Sequence, residues 1–123
     1  MKKVKIEKSC EQRIDKELRG RIKDFRHALK EDWKYFDDYE YEDFGDWLNQ
    51  TALAYSDSPH YRAKCLELSC GGPQDYFLFF EDGTIEYHFL DWFDGAKRIL
   101  EGDEYDTMKQ VVDWLGVGEE AVC

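Results

Sequence analysis

Seven apolar residues, Ile14, Leu18, Ile22, Phe25, Leu29, Trp33 and Phe36, recur at steps of four, four, three, four, four and three. Only a period near 3.6 returns side chains to one side in this way, so the spacing predicts an amphipathic helix over about residues 11–36. Ser9 and Gln12 form a capping-box pair at its start. Gly20 inside the pattern costs about 1 kcal/mol relative to alanine, too little to break so regular a stripe. Lys16, Arg19, Lys23, Arg26 and Lys30 fall on the opposite side, which makes the helix apolar inside and basic outside. Such a stripe must be buried against another layer.

The rest of the chain supplies that layer. Phe44, Trp47, Leu48, Thr51 and Tyr55 share a helical face and predict a second helix over about residues 42–55. After the loop Ser56-Asp57-Ser58-Pro59 the pattern turns to strand, with candidates at residues 61–69, 75–81 and 84–92. Asp82-Gly83 reads as a two-residue type I′ hairpin, which pairs Phe80 with Ile85, Leu78 with Tyr87 and Tyr76 with Phe89. One sheet face is then wholly apolar. The other carries Phe77 and Phe79 beside Glu86 and His88, a face either covered by a helix or open to a partner, with cover favoured because the domain has helices to spare. A turn at Asp94-Gly95, a short strand over residues 96–100 and a helix over about 103–115, ended by Gly116, complete the chain. The expected fold is one α+β domain spanning residues 1–123: two N-terminal helices, an antiparallel three- to four-stranded meander over about 61–100, and a C-terminal helix.

Charge is distributed unevenly along this framework. The net charge is −11, yet residues 1–30 hold eleven Lys or Arg against five Asp or Glu, residues 31–46 one against eight, and residues 47–123 five against fifteen. No segment approaches the roughly 20 apolar residues of a membrane helix, and the Lys-rich start lacks the apolar core of a signal peptide, so a cytoplasmic protein is expected. Cys10, Cys65, Cys70 and Cys123 contain no Cys-x-x-Cys pair and read as free thiols. His27, His60 and His88 stand alone, and neither a metal nor another cofactor is expected.

Residues 31–46 interleave eight carboxylates with six aromatics and a single lysine. Acid alternating with Trp, Tyr and Phe can fold, and then displays negative charge on a rigid backing. Helical carboxylates three or four residues apart lie about 5–6 Å from each other, near the spacing that a phosphate-binding groove meets. A solvated acidic surface is the plainer interpretation. The run covers the end of helix one, a turn and the start of helix two. The helix dipole accounts for acids at the helix-two start but not for Glu31, Asp32, Asp37 and Asp38.

Catalytic signatures are missing. There is no phosphate loop, His-Glu-x-x-His or nucleophile elbow, and Gly71-Gly72-Pro73 enters a strand and reads as a turn. The chain is read as a non-enzyme. Asp91-Trp92-Phe93-Asp94 places two aromatics between acids at a sheet end, either closing the core or presenting Trp92 as an anchor.

Leu68-Ser69-Cys70-Gly71-Gly72-Pro73, followed by Asp91-Trp92-Phe93-Asp94-Gly95-Ala96, resembles a family of small acidic proteins carried by bacterial phages and mobile elements. The resemblance covers about residues 65–115 and implies no catalytic residues. It implies a context in which anti-CRISPR and antirestriction inhibitors occur. The leading expectation is therefore a non-enzymatic inhibitor of a host CRISPR effector or restriction enzyme. Its acidic partner-binding residues are Glu31, Asp32, Asp37, Asp38, Glu40, Glu42, Asp43, Asp46, Asp91 and Asp94, with Tyr39, Tyr41 and Trp92 as anchors. Direct nucleic-acid binding is not expected in that account, and the protein acts as a monomer or dimer. One rival is an assembly or nucleic-acid module using the basic stripe Lys16, Arg19, Lys23, Arg26 and Lys30. Another is a small ligand-binding domain with a pocket around Phe77, Phe79 and His88.

Overall fold

The computed structural model describes residues 9–36, 41–59 and 61–116. Helix α1 spans Cys10–Leu29 and begins with the expected capping box, Ser9 Oγ accepting from Gln12 N and Gln12 Oε1 accepting from Ser9 N. Ile14, Leu18, Ile22 and Phe25 are buried along one side, joined by Cys10 and Ala28. The helix stops well short of Phe36. Glu31 adopts a left-handed conformation (φ 58°). Its N–H bonds Ala28 O while the N–H of Asp32 bonds His27 O, a Schellman-type ending. A 3₁₀ turn, Trp33–Phe36, follows and returns Trp33 and Phe36 to the core. The apolar period continued in the sequence because the chain keeps returning to the same core after the helix ends.

Helix α2 is Phe44–Thr51, shorter at both ends than expected; Asp43 caps it, and Phe44, Trp47 and Leu48 are buried. Its expected last residues instead belong to strand β1, Ala54–Asp57. Tyr55 satisfied the helical spacing, yet it packs partly buried against the core from the sheet. Strands β2 (Ala63–Ser69), β3 (Gln74–Phe80), β4 (Ile85–Asp91) and β5 (Asp94–Ile99) follow, then helix α3 (Gly102–Leu115), closed by Gly116 in a left-handed conformation. The five strands lie in chain order, every neighbouring pair antiparallel. The architecture is α+β, with three helices and five strands where three or four were expected.

The register of the β3–β4 hairpin is one residue from the expected one. Phe79 pairs with Ile85, Phe77 with Tyr87 and Asp75 with Phe89. The loop has three residues, Glu81-Asp82-Gly83: Phe80 N donates to Thr84 O, Gly83 N to Phe80 O, and Gly83 takes φ 96°. A type I turn with glycine at the left-handed position is the common three-residue hairpin, and an Asp-Gly pair serves it as well as a two-residue turn. Because side chains alternate, the slip reverses the faces of β3. Phe77 and Phe79 face the core with Ile85, Tyr87 and Phe89, while Tyr76, Leu78 and Phe80 point outward beside Glu86 and His88.

Helices α1, α2 and α3 contribute to one core with the Phe77 side of the sheet. Phe25 sits at its centre, with its ring edge-on to Trp47 and Phe77. Asp75 is the core's charged member, 3% exposed. It accepts two hydrogen bonds from Arg21, at 2.7 and 2.9 Å, one from Tyr87 OH at 2.6 Å and one from Ser69 Oγ. Among the described residues no helix is long and apolar enough to cross a membrane.

Candidate interaction surface

The acidic run divides as the elements divide. Asp37, Asp38, Tyr39 and Glu40 lie outside the described residues, as do His60 and Cys123. Glu31 is exposed at the end of α1, and Asp32 lies 3.0 Å from His27 Nδ1. Asp43 accepts from Asp46 N as the cap of α2, and Asp46 accepts from Glu42 N and Gln50 Nε2. The acids at the start of α2 therefore organise its first turn, leaving the Glu42 carboxylate exposed beside them. Tyr41, expected as an anchor, is partly buried and packs against Trp33 and Phe36.

At the far end of β4 a two-residue turn joins Asp91 to Asp94, which are register partners. Asp91 accepts from Arg13 Nη1 at 2.7 Å, and Asp94 accepts from Cys10 N at 2.7 Å and Gly95 N at 2.9 Å. Those backbone donors hold the Asp94 carboxyl below the ordinary carboxylate range. Both acids brace the hairpin against the start of α1. Between them Trp92 is 88% and Phe93 103% exposed, the two most exposed large apolar side chains described. Trp92 takes φ 58°, a conformation unfavourable to a bulky side chain. The aromatics do not close the core; they project from a braced tip. Phe93 was missed, although its place between two turn-forming acids signalled it as well as Trp92.

A second group of acids was also missed. Tyr105 OH donates to Gly83 O at 2.8 Å, bringing the β3–β4 turn against the first turn of α3. Glu81 and Asp82 lie on that turn and Glu101, Asp103, Glu104 and Asp106 at the start of α3; Glu101 and Glu104 line a hollow beside Arg19 and Arg98, and none of the six forms an ion pair with another described residue. The concentration of acids after residue 47 was the available signal. Asp103 and Glu104 suit the helix dipole at the α3 start.

The basic stripe of α1 lies exposed, as its position opposite the apolar stripe requires. Arg26 Nε donates to Thr107 Oγ1, and Lys23 Nζ lies 5.7 Å from the centre of the Tyr35 ring. Lys16, Arg19, Lys23, Arg26 and Lys30 form no ion pair with a described carboxylate, although Arg19 lines a hollow with Asp15, Glu101 and Glu104.

Phe77 and Phe79 face the helices while His88 faces away, so these three do not share a cavity. A cleft of about 850 Å³ opens between α3 and the β1–β2 side, lined by Asp57, Lys64, Phe79, Tyr105, Lys109 and Val112 among others. Its Lys64 pairs with Asp57 and its Lys109 with Asp113. Cys10, Cys65 and Cys70 are free thiols. Burial, aided by Glu67, pushes the Cys65 thiol up to about 11, leaving it protonated and a poor nucleophile at neutral pH. Among the described residues no group of three or more His, Cys, Asp or Glu is placed to hold a metal ion.

Compared with protein-family models, curated proteins and solved structures, the chain matches none.

Proposed function

We propose that this protein is a non-enzymatic inhibitor that binds a nucleic-acid-targeting host defence protein, of the CRISPR-effector or restriction-enzyme kind, by presenting carboxylates where the target expects phosphates. The supporting observation is the second acidic group: six carboxylates from the β3–β4 turn and the α3 start, all without ion-pair partners among the described residues. A target groove lined with Lys and Arg gains their attraction without first breaking an internal salt bridge. The acidic run adds the exposed carboxylates Glu31 and Glu42, and the Trp92 tip supplies a desolvating anchor.

Attraction of this kind weakens as salt rises. The test is competition with DNA for a panel of CRISPR effectors and restriction enzymes, measured across a salt series. Converting Glu81, Asp82, Glu101, Asp103, Glu104 and Asp106 to their amides removes inhibition in one variant. In a second variant Asp37, Asp38, Glu40, Glu42, Asp43 and Asp46 are converted, with Asn at position 43 keeping the helix cap. Both variants remain folded. Full inhibition by both would sink the proposal.

The exposed stripe on α1, without an ion pair to a described carboxylate, favours one second reading, direct contact with nucleic acid through Lys16, Arg19, Lys23, Arg26 and Lys30. Filter binding to duplex DNA and to RNA at low salt tests it. Retention that disappears when Lys16, Arg19 and Lys23 become Glu supports this reading, and no retention removes it.

A further inference from the structure

The helices that build the core lie on one side of the sheet, and the other side is apolar as well. An antiparallel sheet with one wet face ordinarily alternates apolar inward with polar outward. Here the outward positions of β2, β3, β4 and β5 include Ala63, Tyr76, Leu78, Phe80, Leu90 and Ile99. Leu78 is only 1% exposed, recessed in the middle of this face, while Ile99 stands 58% exposed near its edge. The Tyr76 ring stacks on His88, centroids 5.0 Å apart.

The charges on this face are few and ordered. One cross-strand row reads Glu67, Tyr76, His88, Lys97, through the partners Glu67 and Tyr76, Tyr76 and His88, and His88 and Lys97. The next row contains Glu86, whose Oε1 lies 2.8 Å from His88 Nε2 and 4.0 Å from Lys97 Nζ. Two carboxylates and one lysine are the wrong complement for a phosphate backbone, which is bound through cations that release its counterions. They suit a protein face carrying the same row reversed.

We propose that the chain forms a two-fold dimer by stacking the outward faces of two sheets. With the axis running along the strands between β3 and β4, β2 of one copy lies over β5 of the other, and β3 over β4. Glu67 then meets Lys97 of the second copy, twice, and Tyr76 meets His88. Aligned sheets pack about 10 Å apart with side chains interdigitating, close enough for Glu and Lys to pair across the gap. The four strands that overlap, β2 to β5, lie about 4.8 Å apart and are each about 20 Å long, which gives a footprint of about 400 Å² per copy. The two copies thus contribute about 800 Å² before side-chain relief is counted, the size of a weak dimer contact that forms and dissociates with concentration. This assembly is independent of the inhibitor reading and leaves the α3 acids and the Trp92 tip outside the contact.

Analytical ultracentrifugation of the full chain over a concentration series tests the proposal, with circular dichroism confirming that each variant is folded. The wild type is expected to show a monomer–dimer equilibrium. E67K and K97E each place like charges opposite one another and weaken dimerisation at least about tenfold, whereas the double variant E67K/K97E recovers it to within about threefold. An equimolar mixture of the two single variants forms the heterodimer that neither forms alone. I99D, at an exposed site that folding does not need, also weakens the dimer. A wild type that stays monomeric at its highest soluble concentration overturns the proposal, as does a dimer indifferent to I99D and to both reversals. Failure of the double variant to recover overturns the two-fold placement.

Discussion

Two side chains pay their way in different currencies. Burial raises the pKa of the Asp75 carboxyl, but the hydrogen bonds from Arg21, Ser69 and Tyr87 outweigh it and the net direction is down. A depressed folded-state pKa contributes stability above the unfolded value, and that stability is lost as pH falls from the ordinary carboxylate range through the depressed one. Asp75→Asn leaves the Arg21 charge without its partner and is expected to cost about 3 kcal/mol at neutral pH, read from urea denaturation. Its stability should also fall less steeply with acid than the wild type's; an equal slope would assign acid sensitivity to other groups. Trp92 is the opposite case. Its left-handed backbone costs about 1 kcal/mol, and its ring, 88% exposed, gains no burial in return. Trp92→Gly should therefore unfold at a urea concentration equal to or above that of the wild type, while losing the proposed anchor and weakening inhibition. Reduced stability in this variant would show that the ring supports the hairpin.

At the scale of elements, what could be read depended on how one-sided each pattern was. The α1 stripe, its cap and its basic outer side were legible because Ile14, Leu18, Ile22 and Phe25 lie on an unambiguous period. The end of α1 was not, since Glu31 has no glycine to announce the left-handed residue and Trp33 and Phe36 return to the core by another route. Strand β1 was hidden because Tyr55 satisfies both periods. In β4 the shared apolar side of Ile85, Tyr87 and Phe89 was legible, though the helices cover that side and not the Glu86 and His88 side where cover was expected; β3 offers Tyr76, Leu78 and Phe80 on one side and Phe77 and Phe79 on the other. Hydrophobicity cannot choose between those sides, so the assumed turn length decided, and wrongly. Truncation separates the two registers: Phe79→Ala, at 2% exposure, should cost about 3–5 kcal/mol, and Phe80→Ala, half-buried on the outward face, distinctly less. The reverse order in chemical denaturation would restore the two-residue hairpin.

On the whole molecule, the candidate site was less legible than the fold. The excess of negative charge could be counted along the chain, but a count does not tell which acids are engaged. Asp43, Asp91 and Asp94 serve caps and turns, while the acids of the β3–β4 turn and of the α3 start, far apart in sequence, belong to neighbouring segments because Tyr105 bonds that turn. The two-sided apolarity of β3 also gives the buried ion pair a second significance. Asp75 shares its side of the strand with Phe77 and Phe79, so turning β3 over would exchange one set of aromatics for another at little hydrophobic loss. It would also carry the carboxylate to the outer surface and strand Arg21 against the core without a counterion. The Arg21–Asp75 pair thus works as a parity check on the sheet, rejecting an alternative strand orientation that packing alone would tolerate.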